Sequence, residues 1–226
     1  MTKKPLLLGH RGCRSRVHPA FPVENSLAAF EYALAHGCDG FEFDVRHTRD
    51  GRNVLWHDPV WKGQEIASTD YSDMSKLKGA RLPLLEAVLE QFCQRAYFDI
   101  ELKASGHEAS VVAAVRAHTP QRGFMLSTFY PDILARLNDL DGSLPLGFLC
   151  ERDQAMAVWH QMPIQVLLPH DCYVQPTLID EAHTRGLQIM TWTVNDAGRM
   201  LKLGEWGIDG IISDDPGLLY QTFHSE

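Results

Sequence analysis

The chain has 226 residues, of which 45% are hydrophobic and 22% are charged. These proportions are those of an ordinary globular protein and exclude collagen-like, low-complexity and intrinsically disordered chains. The 29 acidic residues outnumber the 21 Lys and Arg residues and give a formal charge of −8. This charge argues against nucleic acid as a partner and against polybasic attachment to membranes, but a local basic site for a phosphate is compatible with it.

The five cysteines show no C-x-x-C pairing, which predicts reduced thiols in a cytoplasmic protein. Near the start of the chain, an apolar run of three leucines stops at Gly9, so it is too short for a signal peptide. No stretch approaches the roughly 20 apolar residues of a membrane helix, and we expect no stable membrane insertion. The length predicts one domain over residues 1–226, with a core large enough to fold without disulfides.

Short apolar runs alternate with helical patterns along the whole chain. The predicted strands are, in chain order, 6–9, 40–45 with 54–56 as its continuation, 97–102, 124–127, 146–149, 166–168, 188–194 and 207–212. The predicted helices that separate them are 27–36 after an N-cap at Ser26, 84–92, 108–118, one that begins at Pro131, 154–160, 177–184, 197–203 and one that begins at Pro216. Segment 58–83 is the one long irregular stretch.

About eight strands, each followed by a helix, predict a parallel sheet. This number of units in 226 residues is typical of a closed (β/α)8 TIM barrel. An open, doubly wound sheet is the alternative. No G-x-G-x-x-G or Walker pattern opens a helix, which weakens the nucleotide-binding version of that alternative.

Carboxylates interrupt two of the predicted strands, although strands of a parallel barrel are buried on both faces and are usually apolar. Strand 40–45 places Glu42 and Asp44 on one face, and strand 97–102 places Asp99 and Glu101 on one face that continues to Lys103. Because unpaired acids are costly to bury, Glu42, Asp44 and Glu101 are predicted to converge on a divalent cation. The alternative is that they pair with Arg or Lys of neighbouring strands. All-oxygen ligation favours Mg²⁺ or Ca²⁺ over zinc, with Mn²⁺ as a further option.

Two histidines, His10 and His57, each follow a predicted strand. In a barrel, such positions lie at the carboxyl-terminal mouth, where active sites of this architecture are found. Histidine titrates near neutral pH and can take up or release a proton, so this pair beside an acidic cluster indicates acid–base catalysis. The alternative is that both are ordinary surface or core residues. Arg11 and Lys103 add positive charge at the same mouth, which suits an anion such as a phosphate.

The same residues belong to a series of ordered motifs that spans almost the whole chain. The motifs are His10-Arg11-Gly12, Val23-Glu24-Asn25-Ser26, Glu42-Phe43-Asp44-Val45, Asp50-Gly51 with His57-Asp58-Pro59, Glu101-Leu102-Lys103, Thr191-Trp192-Thr193-Val194-Asn195, and the segment 207–214. In these motifs the chain resembles the glycerophosphodiester phosphodiesterases, which are metal-dependent (β/α)8 barrels. The resemblance implies hydrolysis of a glycerophosphodiester to glycerol 3-phosphate and an alcohol.

The resemblance also implies a role for each matching residue. Carried over residue by residue, these roles are metal ligation for Glu42, Asp44 and Glu101, acid–base catalysis for His10 and His57, phosphate contact for Arg11 and Lys103, lining of the glycerol pocket for Trp192, and support of the first loop or the ligand shell for Glu24. In the implied mechanism the glycerol 2-hydroxyl attacks phosphorus, and water then opens the cyclic phosphate. His10 would be the base and His57 the acid in the first step.

Two segments differ from the family pattern. The first loop, residues 13–23, is longer than usual and carries Arg14, Arg16 and His18; it is either a surface loop or an additional substrate contact. Segment 58–83 stands where the family has its cap insertion, and here it is short. The remaining alternatives are a lysophospholipase D-type phosphodiesterase acting on lipid, and a barrel that binds a phosphodiester without hydrolysing it. The presence of both histidines and all three acids favours a catalyst.

Overall fold

Strands and helices alternate along the described residues, which are 4–14, 20–77 and 81–224 of a computed structural model. In these ranges the strands are β1 (Leu6–Gly9), β2 (Gly40–His47), β3 (Asn53–Leu55), β4 (Val60–Trp61), β5 (Gln64–Glu65), β6 (Tyr97–Leu102), β7 (Phe124–Thr128), β8 (Leu146–Cys150), β9 (Val166–Pro169), β10 (Gln188–Thr191) and β11 (Gly210–Ser213). The α-helices are α1 (Leu27–Ala35), α2 (Tyr71–Met74), α3 (Leu85–Phe92), α4 (Glu108–Ala117), α5 (Pro131–Leu140), α6 (Asp153–Met156), α7 (Pro176–Thr184), α8 (Ala197–Glu205) and α9 (Pro216–His224).

Eight parallel strands close into a barrel with helices between them. The order around the barrel is β1, β2, β6, β7, β8, β9, β10 and β11, and the pairing of β11 with β1 completes the ring. The predicted (β/α)8 TIM barrel is therefore confirmed, and the open doubly wound alternative is wrong.

The strand pleat sends alternate side chains to opposite faces of the barrel wall. Phe41 and Phe43 of β2 and Phe98 of β6 point outward and are fully buried among the helices. Inside the barrel lies a separate apolar layer: Leu8, Met125, Leu149, Val166, Leu168, Met190 and Ile212. The inward-facing positions nearer the carboxyl-terminal mouth on β2 and β6 carry the acids, so the bulky residues pack outward as the strand pattern predicted.

The chain leaves the barrel between β2 and β6. Here β3 pairs antiparallel with the end of β2, with Val45 opposite Leu55, so residues 54–56 are a neighbour of the predicted strand 40–45 and not its continuation. Segment 58–83 is also more regular than predicted, because it contains the β4–β5 hairpin and α2. These elements enclose a small apolar cluster of Val54, Trp61, Ile66, Met74 and Leu82. Two-residue strands and a one-turn helix are too short to show a sequence period.

Three further predicted elements have different bounds. The strand predicted over 188–194 ends at Thr191, and the helix predicted over 154–160 is divided into α6 and a 3₁₀ turn at Trp159–Gln161. The strand predicted over 207–212 begins only at Gly210, because Gly207 has a positive φ of 85° and the Ile208 amide donates to the Leu203 carbonyl, which closes α8. Among the described residues, no helix combines the length and apolarity that crossing a bilayer requires.

Candidate active site

The carboxyl-terminal mouth of the barrel holds a cavity of about 670 Å³. Seven of the predicted site residues line it: His10, Arg11, Glu42, His57, Glu101, Lys103 and Trp192. Asp44 is buried beneath this surface, within 3.2 Å of the Arg11 guanidinium, and Glu24 contacts the same guanidinium at 2.7 Å. The structure therefore brings the sequence-predicted residues together at one mouth.

Glu42, Asp44 and Glu101 form a cluster in which each residue offers a carboxylate oxygen within 4.8 Å of the others. The strand geometry explains this arrangement, since Glu42 and Asp44 alternate on β2 and the register places Asp44 beside Glu101 of β6. All three are buried, and Glu42 Oε1 has no hydrogen-bond donor among the described residues. A buried oxygen without a donor is costly, and a hard divalent cation bound by oxygen ligands would remove that cost. The donor set fits such a cation.

Neighbouring charges divide the cluster into two kinds of carboxyl. Burial alone would raise the pKa of Asp44, but Lys103 Nζ at 3.0 Å and the Arg11 guanidinium lower it to about 2. Burial and the nearby acids raise the pKa of Glu42 well above its ordinary value, and burial raises that of Glu101 to about 8 in spite of Lys103. Pairing with basic residues, the alternative derived from the sequence, therefore accounts for Asp44 and in part for Glu101, which Lys103 Nζ contacts over 2.5 Å. Among the described residues, no Lys or Arg side chain pairs with Glu42, and its Oε1 is left without a donor.

His10 is held by a carboxylate from the far end of the chain. Its Nδ1 lies 2.6 Å from Asp214 Oδ1, while Asp214 Oδ2 accepts a hydrogen bond from Asn195 Nδ2 over 2.8 Å. Burial lowers the pKa of His10, although the Asp214 contact opposes this shift. A neutral imidazole that donates from Nδ1 to Asp214 keeps the Nε2 lone pair available, and Nε2 lies 3.8 Å from Glu42 Oε2. This is the arrangement of a general base.

His57 stands on a more open part of the mouth, two residues after β3. Its Nδ1 lies 2.7 Å from Asp58 Oδ1, which again leaves Nε2 for proton exchange. Burial and the positive charge of Lys103 lower the pKa of His57. In both histidines, therefore, Nδ1 contacts a carboxylate and Nε2 is left for proton exchange.

The positive and aromatic residues are fixed by further contacts. Glu24 accepts hydrogen bonds from Arg11 Nη1 over 2.7 Å and from Arg14 Nε over 3.0 Å, so it connects the first loop to the mouth. The Trp192 indole Nε1 donates to the Leu168 carbonyl over 3.0 Å, and its ring meets Phe129 edge-on at 5.4 Å between centroids. Trp192 therefore presents a fixed apolar face to the cavity.

Some residues of the site were not assigned a role from the sequence. Asp214 directly follows β11 as His10 follows β1, so the strand-end criterion that singled out His10 applies to it as well. Asn25 donates from Nδ2 to Asp44 Oδ2 over 2.7 Å. Its backbone has a positive φ of 56°, which nothing in the sequence indicates apart from the motif that contains Asn25. Of the residues predicted as additional substrate contacts, Arg14 lines the cavity, whereas Arg16 and His18 lie outside the described residues.

Known proteins match the chain in a family profile, in full-length sequence alignments and in fold. The profile of the glycerophosphoryl diester phosphodiesterase family matches residues 10–218. A glycerophosphodiester phosphodiesterase of Bacillus altitudinis is 30% identical, and one of Caldanaerobacter subterraneus is 28% identical; in both cases the alignment covers 96% of each chain. The solved structure of an Oleispira antarctica phosphodiesterase in complex with the product sn-glycerol-3-phosphate has the same fold, with a TM-score of 0.84, 22% identity and 98% of each chain covered.

Proposed function

The chain belongs to the glycerophosphoryl diester phosphodiesterase family, and we propose that it hydrolyses a glycerophosphodiester to glycerol 3-phosphate and an alcohol. The observation that carries this proposal is the pair of histidines at one acidic mouth, each with Nδ1 within 2.7 Å of a carboxylate oxygen. Two imidazoles oriented in this way supply the two proton transfers that cleavage of a phosphodiester requires. A barrel that only bound its ligand would have no need of them.

Phosphate binding falls to the charged residues of the mouth. Glu42, Asp44 and Glu101 would hold a divalent cation, Mg²⁺, Ca²⁺ or Mn²⁺, which when bound polarises a phosphoryl oxygen and offsets negative charge on it. Arg11 is buried and Lys103 is half-buried beside the same cluster, and both donate to the remaining phosphoryl oxygens. The apolar face of Trp192 lines the part of the cavity that takes the carbon chain of glycerol.

The two histidines move the protons in sequence. His10 takes the proton of the glycerol 2-hydroxyl as the oxygen of that hydroxyl bonds to phosphorus. His57 protonates the oxygen of the leaving alcohol as the bond between that oxygen and phosphorus breaks. In the second step His57 takes a proton from the water whose oxygen bonds to phosphorus, and His10 returns its proton to the glycerol 2-oxygen as the bond between that oxygen and phosphorus breaks. The lowered pKa of His10 suits the base. An anionic phosphodiester next to His57 opposes the effect of Lys103 and favours the protonated form that the acid requires.

The experiment measures release of glycerol 3-phosphate from glycerophosphocholine, glycerophosphoethanolamine and glycerophosphoglycerol, and release of choline from lysophosphatidylcholine, with Mg²⁺, Ca²⁺, Mn²⁺ or EDTA. We expect release from the water-soluble diesters, loss of release in EDTA, and recovery with a divalent cation. His160→Ala, which changes an exposed histidine of the Trp159–Gln161 turn, is the matched control for histidine variants of the mouth. Turnover that is unaffected by EDTA would contradict the role of the acidic cluster. Turnover of lysophosphatidylcholine alone would identify the lipid-directed alternative.

A further inference from the structure

Arg46 lies at the mouth end of β2 and lines the cavity. Its guanidinium donates twice to the backbone carbonyl oxygen of His57, from Nε over 2.8 Å and from Nη2 over 2.6 Å. Hydrogen bonds from a charged donor are stronger than neutral ones, and the planar guanidinium fixes the direction of the contact as well as its length. The side chain of one strand thus holds the backbone of a segment that has left the barrel.

The two histidines differ in how firmly the fold holds them without this contact. His10 follows a barrel strand, is 8% exposed, and donates from its backbone amide to the Ser213 carbonyl over 2.7 Å. The His57 side chain is 39% exposed, and the partner of its ring, Asp58, is 63% exposed. Exposed pairs of this kind contribute little free energy, so Asp58 selects the tautomer of the His57 ring but does not anchor the residue to the barrel. The Trp56 amide donates to the Asp44 carbonyl of β2 over 3.1 Å, and the contact from Arg46 extends this connection to the His57 backbone itself.

We infer that Arg46 is a positioning residue, which sets the place of His57 relative to the acidic cluster. The inference rests on the proposed function, in which His57 exchanges a proton at the leaving oxygen. A displacement of about 1 Å in a reacting group can lower turnover about 100-fold. A small shift of His57 after loss of the Arg46 contact would therefore slow the reaction measurably. A different role, direct contact between Arg46 and the phosphate, would act on substrate binding and would not depend on His57.

The test compares Arg46→Met, Arg46→Lys and the matched control Arg49→Met. Arg49 belongs to the same β2–β3 hairpin, is 61% exposed, and pairs with Asp70 over 2.8 Å away from the cavity. We expect Arg46→Met to lower kcat between about 10-fold and about 100-fold with little change in KM, because the acid is misplaced while phosphate binding is retained. Arg46→Lys should recover part of the loss, since it keeps the charge without the two-pronged contact. Arg49→Met should match the unchanged protein, and thermal unfolding checks that each variant folds.

The second arm repeats Arg46→Met in a His57→Ala background. If Arg46 acts through His57, the double variant should be no slower than His57→Ala itself. A full additional loss, or an increase in KM at unchanged kcat, would overturn the inference and assign Arg46 to the phosphate. If His57→Ala is too slow for this comparison, the inference is tested by whether Arg46→Met changes kcat or KM and by whether Arg46→Lys recovers part of the loss. Full activity of His57→Ala would instead refute the proposed mechanism, a result distinct from failure of the Arg46 inference.

Discussion

Substitution of Asp214 by Asn would test how the protein fixes the tautomer of His10. Both carboxylate oxygens of Asp214 face donors, since Oδ1 lies 2.6 Å from His10 Nδ1 and Oδ2 accepts from Asn195 Nδ2 over 2.8 Å. The side-chain amide introduced by Asp214→Asn would have one acceptor and one donor for these two positions. If its oxygen keeps the Asn195 bond, its NH₂ group faces His10 Nδ1. The ring must then carry its proton on Nε2, where it cannot act as a base.

The expected effect of Asp214→Asn is a loss in kcat of between about 10² and about 10⁴, the range found for lost acid–base catalysis and for a histidine in the wrong tautomer. This loss corresponds to about 3–5 kcal/mol of transition-state stabilisation. KM and cation affinity should change little, because Asp214 is absent from the residues that line the described cavity and from the acidic cluster.

The assay is kcat and KM for release of glycerol 3-phosphate, together with calorimetry of Mg²⁺ and Ca²⁺ binding. Asp215→Asn is the matched control, because Asp215 Oδ1 accepts from the Leu218 amide at the start of α9, a contact that Asn can also make. We expect this control to retain full turnover. A kcat of Asp214→Asn within about ten-fold of the unchanged protein would refute the argument, as would a large further loss when Asp214→Asn is added to His10→Ala.

Four other predictions follow from the site. Asp44→Asn or Glu101→Gln should weaken divalent-cation binding; calorimetry with unchanged Mg²⁺ and Ca²⁺ affinity in both variants would contradict the ligand assignment. His10→Ala and His57→Ala should each lower turnover about 10²–10⁴-fold while cation binding persists. The fold loss in turnover of the double variant should be smaller than the product of the two single fold losses. A fully active single variant would remove that histidine from the mechanism. Shortening segment 58–83 should change the relative rates among headgroups, and identical rates in a variant that still melts cooperatively would show that the segment is only a connector. Without cations, urea unfolding should show the unchanged protein losing stability relative to Glu101→Gln between about pH 5 and about pH 8, because burial raises the pKa of Glu101 to about 8, so the folded chain keeps a proton that the unfolded chain has released; a constant difference between the two proteins over this interval would contradict the assigned shift.

The sequence contains the information for the barrel and for most of the site because both depend on local periods. Alternation along β2 is enough to put Glu42 and Asp44 on one face, and parallel pairing then brings Glu101 beside them. The contact between His10 and Asp214 joins residues 204 positions apart, and no local pattern reports such a pair. The hydrogen bonds from Arg46 to the His57 carbonyl also depend on the reversal of the chain between β2 and β3. The apolar run 54–56 does not indicate whether the chain continues or reverses there.

Segment 58–83 leaves the barrel and returns to it at one junction, where the residues that precede the segment pair with the residues at its end. The Leu55 amide donates to the Pro83 carbonyl over 2.9 Å, and Val54 bridges to Leu84. Loop closure becomes only about 0.6 kcal/mol less favourable with each doubling of loop length, and β2 and β6 pair directly with each other over six residue pairs. The junction is therefore a graft point, at which an insertion of another length can replace the present one while the strands that carry the acids keep their register.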